Sequence, residues 1–177
     1  MKSFFRLIFA TLLLLLPCTI FAQTSTSLTI RGDVFKPITL TPEAVKKQFA
    51  EELLTRKYVA GQDKKEKTAI GIPLLSVIRA AELKTEATPK HYDMSFIIII
   101  EAHDGYRAYF SLAELMSREH ENESKTLLVM EEDGHMLSGN DTPFKLLTTG
   151  NDRRIFGITS ITLVDGTKLA DSLARRD

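Results

Sequence analysis

Cysteine is almost missing from this 177-residue chain, and the one copy, Cys18, lies inside an apolar stretch near the N-terminus. If that stretch is removed on export, the remaining chain holds no thiol, so disulfides are excluded and stability must come from packing. A zinc site of the usual cysteine-rich kind is excluded with them. The four histidines, His91, His103, His120 and His135, never stand at a spacing that puts two ligands on one helix face, and each reads as a turn or loop residue. There is no glycine-rich phosphate loop and no serine framed by the glycines of a nucleophile elbow, so nucleotidase and hydrolase readings have no support. An excess of one charge is missing too: 23 basic residues face 23 acidic ones. That balance gives no electrostatic reason to expect nucleic acid or an anionic membrane surface as partner.

One long apolar run is present. Lys2 and Arg6 precede a nearly continuous apolar segment from Leu7 to Phe21, interrupted by Pro17 and followed by Ala22 and Gln23. This is the pattern of a secretory signal peptide. The run falls short of the roughly 20 residues that span a bilayer. With a cut after Ala22, 155 of the 177 residues remain as one domain, 23–177, and no membrane span is expected in it. Lys2 and Arg6 leave with the leader, so 21 basic residues then face 23 acids, a net charge of −2. A cysteine-free exported domain of this size fits a bacterial periplasm or cell surface.

Further along, Leu28 and Ile30 alternate with polar residues and predict a strand ending at Gly32-Asp33, with a short second strand over 37–40. Thr41 as N-cap, Pro42 at the first helical position and Glu43 in the first turn predict a helix over 42–56, with Val45, Phe49 and Leu53 on one face. The lysine-rich segment 57–67 reads as a flexible loop. Pro73 is expected to open a helix running to Leu83. The β-branched run from Met94 to Ile100 reads as a central strand covered on both faces. It is followed by a hairpin at His103-Asp104-Gly105 and a partner strand over 106–110. Ser111 and Glu114 form a capping-box pair for a short helix. The segment 118–125 is polar enough to be an exposed loop. Strands are expected over 126–131, 144–148 and 158–164, and the charged tail from Thr167 reads as mobile or weakly helical. About seven strands with two or three interspersed helices make an α+β protein, since the βαβ alternation of a doubly wound sheet is missing.

The most suggestive chemistry lies in Thr148-Thr149-Gly150-Asn151-Asp152-Arg153-Arg154, where a glycine turn after a strand carries hydroxyls, backbone N–H groups and two guanidinium forks. Such a set can cradle phosphate or carboxylate. The alternative is a tight surface turn in which Asp152 pairs with an arginine.

Taken in order, the segments Leu28-Thr-Ile-Arg-Gly-Asp-Val, Ile70-Gly71-Ile72-Pro73-Leu74, Asp104-Gly105-Tyr106, Phe110-Ser-Leu-Ala-Glu-Leu, Pro143-Phe-Lys-Leu-Leu and Gly150-Asn-Asp-Arg-Arg resemble the molybdopterin-binding domain of the sulfite oxidase type, in its short stand-alone exported form. The resemblance spans Leu28 to Val164. It implies a strand-rich mixed sandwich and a ligand-contacting set of Gly150, Asp152, Arg153, Arg154 and Tyr106. Catalytic members hold molybdenum through a cysteine between the first helix and the segment matching Gly71-Ile-Pro-Leu. Residues 56–70 contain no cysteine here, and Thr149 replaces the proline usual before the glycine. A soft metal centre without its thiolate loses affinity and electronic tuning. The expectation is therefore a non-catalytic exported domain, with no catalytic residue and no metal ligand, that binds a small anionic ligand or a partner protein. Two other readings stay open: a molybdopterin-dependent oxidoreductase module, and a structural subunit docking a membrane complex through 57–67.

Overall fold

The computed structural model describes residues 26–60, 64–84, 92–117, 125–148 and 154–175. The expected leader 1–22 and the segment 118–124 lie outside them, as do Gly150, Asp152 and Arg153. The described chain is strand-rich α+β, with its strands in two sheets. The strands are β1 (Leu28–Gly32), β2 (Ile38–Leu40), β3 (Leu54–Ala60), β4 (Lys65–Pro73), β5 (Phe96–Ala102), β6 (Arg107–Ser111), β7 (Leu127–Glu132), β8 (His135–Met136), β9 (Lys145–Leu147), β10 (Arg154–Ile155) and β11 (Ile158–Asp165). The helices are α1 (Pro42–Gln48), α2 (Leu74–Ala80), α3 (Leu112–Ser117) and α4 (Gly166–Ala174).

One sheet has the order β2-β1-β11-β5-β6, in which only β1 and β11 run parallel. The other has the order β10-β9-β7-β4-β3, with β8 paired to β7, and is antiparallel throughout. Leu28 and Ile30 of β1, Phe96, Ile98 and Ile100 of β5, and Leu128, Met130 and Leu146 of the second sheet share one buried core with α2 and Val45. Each such side chain contributes about 1.5–3 kcal/mol by leaving water.

Several sequence expectations hold. Thr41 caps α1, its Oγ1 accepting from the Ala44 N–H at 3.2 Å, and Ser111 caps α3, accepting from the Glu114 N–H at 3.0 Å. The turn at Asp104-Gly105 joins β5 to β6 in register.

Others need correction. The first helix stops at Gln48, where the Phe49 N–H closes on the Val45 carbonyl, and a 3₁₀ turn at Ala50–Glu52 leads directly into β3. Phe49 and Leu53 still pack on the core, so their apolar spacing reported burial correctly and helix length wrongly. The lysine-rich segment is no loop on its described residues, since β3 and β4 pair residue for residue from Leu54↔Gly71 to Ala60↔Lys65. Apart from the half-buried Lys67, its described lysines sit on exposed positions of a hairpin, where Lys57 pairs with Glu66 across the strands. Pro73 both ends β4 and is the N-cap of α2 as expected, but α2 stops at Ala80, and Leu83 bridges back to Val34. The isoleucine-rich strand alternates: Phe96, Ile98, Ile100 and Ala102 are buried, whereas Ile97, Ile99 and Glu101 are half-exposed. It is therefore covered fully on one face only. The tail from Thr167, read as mobile or weakly helical, is helical as far as Ala174 in α4, started by Asp165 accepting from the Thr167 N–H and exposed from Thr167 to Ala174.

A β-bulge shapes the second sheet. Ile70 pairs with Glu131 but Gly71 pairs with Val129, so Met130 has no partner on β4. Alternation reverses there. Leu128 and Met130 face the main core, Glu131 turns to Lys46 of α1, and Glu132 is carried to the opposite face. Gly71 is pressed against β7 at this point, where an added Cβ would lie 2.5 Å from the Leu128 carbonyl oxygen. Gly71→Ala is expected to lower stability by about 1–3 kcal/mol, read as a lower midpoint of urea unfolding.

Candidate functional site

The second sheet curls far enough for a side chain of edge strand β10 to reach edge strand β3. Arg154 of β10 donates from Nη2 to the Val59 carbonyl of β3 at 3.1 Å, and its guanidinium lies 5.5 Å from the centre of the Tyr58 ring. The concave face formed in this way buries Tyr58, Ala60, Ala69, Leu127, Val129 and Leu147 as a second apolar cluster. That explains the continuous burial of Leu127 to Met130, whose strand is apolar on both faces.

A polar network stands at the mouth of this concavity. Lys145, 2% exposed, shares its face with Val129 and Leu147. Its ammonium donates to the Tyr58 hydroxyl at 2.9 Å and pairs with Glu132. The Tyr58 hydroxyl donates in turn to Glu132, and Lys67 takes the second carboxylate oxygen. Asp141 stands 3.8 Å from Lys145. The ammonium also lies over the rings of Tyr58 at 5.4 Å and Phe156 at 5.6 Å, contacts that favour a cation held away from water.

Burial alone would push the Glu132 carboxyl up. The hydrogen bonds from Lys145, Lys67 and Tyr58 outweigh it and bring the group down to about 2 from an ordinary 4.5. The Tyr58 phenol moves up, first because burial disfavours the phenolate and then because Glu132 accepts its proton. Lys67 also moves up, through its bond to Glu132.

A cleft of about 380 Å³ adjoins the mouth, lined by His103, Asp104, Asn140, Asp141 and Phe156. His103 is fixed in it. Its N–H donates to the Gly157 carbonyl at 2.9 Å and its Nε2 lies 3.1 Å from the Asn140 carbonyl oxygen, so Nε2 carries a proton. Gly157 has φ +60°, and a Cβ there would fall 2.2 Å from the imidazole Cδ2. A second groove, of about 550 Å³, is walled by Pro42, Met136, Leu137 and Pro143.

Of the residues selected from sequence, Arg154 joins the mouth. Tyr106 sits on the β5–β6 connection of the other sheet, 57% exposed, with its N–H bonded to the Asp104 carboxylate at 2.9 Å. Gly150, Asp152 and Arg153 lie outside the described residues. His103 stands exposed in a turn, His135 is exposed but opens β8 where a turn was expected, and His91 and His120 are outside the described residues. Sequence reasoning missed Tyr58, Lys67, Glu132 and Lys145. The available signal was Lys145 itself, a lone ammonium inside Phe144-Lys145-Leu146-Leu147, which demands a buried partner. Among the described residues no three His, Cys, Asp or Glu side chains group so as to hold a metal ion, and no helix is long and apolar enough to cross a membrane.

Because the folded Glu132 has the lower pKa, its contribution to stability is whole above pH 4.5 and is lost as pH falls through about 2. Urea titrations across that window should show wild-type stability falling more steeply than that of Glu132→Gln, which starts lower and has no carboxylate there to protonate. No protein-family model matches the chain, and a search of curated proteins finds no match.

Proposed function

We propose that this chain is a non-catalytic exported domain of sulfite oxidase-like fold that binds a small anionic ligand at the mouth of the curled sheet. The observation that carries the reading is Arg154. Its guanidinium is half-buried on the Tyr58 face, spends an N–H on the Val59 carbonyl, and has no carboxylate partner among the described residues. Lys67 and Lys145 stand around the same phenol and share Glu132. An arginine fork with free donors beside other cations suits a phosphate or carboxylate. The two-sheet, strand-rich α+β architecture is compatible with the sulfite oxidase type, and the Leu7 to Phe21 run supports export to a bacterial periplasm or outside the cell.

The residues do not fit a molybdenum pterin. Where the resemblance calls for a thiolate, the chain forms the β3–β4 hairpin, and the side chains turned to the mouth there are Tyr58 and Lys67, both committed to Glu132. A phenol kept protonated and an ammonium cannot replace a soft anionic donor.

Titration calorimetry with inorganic phosphate tests the reading. Arg154→Ala should weaken phosphate binding by roughly tenfold or more, and Arg154→Lys should restore it only in part, with circular dichroism unchanged in both. Equal phosphate affinity in wild type and Arg154→Ala, or about one molybdenum per chain in protein purified from its native export route, would overturn it.

A further inference from the structure

We propose that the free edge of β3 is a docking rail for an extended acidic segment of a partner protein, which adds as a further antiparallel or parallel strand beyond β3. β3 is the terminal strand of its sheet, paired with β4 on one side, and on the other side its Val59 carbonyl takes the Arg154 side chain. The opposite edge, β10, has two residues, whereas β3 has seven. The Val59 carbonyl points outward, because it receives Arg154. Strand alternation then turns the N–H and C=O groups of Thr55 and Lys57 to the same free edge. Open donors and acceptors in a row are what strand addition uses.

The edge is also accessible. β7 covers β4 only from Ala69 to Pro73, so the hairpin beyond Thr68 projects past the sheet with Thr55, Lys57 and Val59 exposed. Val59 is 45% exposed, and a β-branched residue left in water at an open edge can gain by pairing.

Charge selects the occupant. Lys57 and Lys64 are exposed on the arm, Lys57 sharing Glu66 across the hairpin, whereas Lys67 is held by Glu132. Antiparallel pairing of β3 with a second copy, centred on the strand, would set Lys57 against Lys57 and is disfavoured. An acidic strand meets the opposite situation. Lys57 can turn from Glu66 to it at little cost, since that pair is mostly exposed and worth little in water.

The probe is a synthetic N-acetylated octapeptide alternating Glu with Val or Thr, added to the full chain while amide hydrogen exchange is followed by NMR. At ten times its dissociation constant it should slow exchange of the Thr55, Lys57 and Val59 amides roughly tenfold. The Arg56 and Tyr58 amides, which face β4, should change little. A peptide with Lys for Glu should give no protection, and Lys57→Glu should reverse the preference. Lys57→Glu should lose the acidic-peptide effect while keeping phosphate binding, so this inference and the proposed function fail separately. Absence of protection by the acidic peptide, equal protection by both peptides, or protection that grows with protein concentration alone would each overturn it.

Discussion

Burying the Lys145 ammonium is the constraint on which this structure turns. An unpaired charge at that depth would cost several kcal/mol out of a folding margin of about 5–15 kcal/mol, so a carboxylate must be delivered to it and its remaining protons must find acceptors. Glu132 supplies the charge, Tyr58 the neutral oxygen, and the rings of Tyr58 and Phe156 the flanking surface. These groups come from β9, β7, β3 and the segment after β10, so satisfying one ammonium ties together strands that are distant in sequence.

The backbone device that makes this pairing possible is the bulge at Met130. Without it, Glu132 would follow Leu128 and Met130 to the main-core face, away from Lys145 and Lys67. With it, two consecutive glutamates serve opposite faces, Glu131 on Lys46 and Glu132 on Lys145 and Lys67. The same curl that closes the apolar cluster of Leu127, Val129 and Leu147 brings Arg154 over Tyr58. A cationic mouth is thus a by-product of how the sheet closes, and it exists without any sulfur or metal ligand.

Much of the fold was legible because local rules were obeyed locally. Thr41-Pro42-Glu43 started a helix, Asp104-Gly105 made a hairpin, and Leu28 and Ile30 alternated into a core strand. The β3–β4 hairpin was not legible, because lysines at alternate exposed positions look like a loop until Tyr58 and Ala69 are seen to face inward. Helix length failed where a strand pairing with Gly71 competed with propensity and won. For the site, Arg154 could be picked out as a guanidinium after a glycine turn. Lys145 could have been, as a lone ammonium in an apolar run, but its partners Tyr58, Lys67 and Glu132 could not, since their meeting depends on sheet order and on a bulge that no local pattern announces.

The most direct measurement is a double-mutant cycle on the buried pair, using urea unfolding of wild type, Lys145→Met, Glu132→Gln and the double variant. Each single change strands a buried group, at about 3 kcal/mol or more, whereas the double change removes both. A coupling of about 2–3 kcal/mol is expected, with the double variant much less damaged than the sum of the singles. Additive losses, with coupling below about 0.5 kcal/mol, would mean that Lys145 and Glu132 do not depend on each other and would contradict the central role given to their contact.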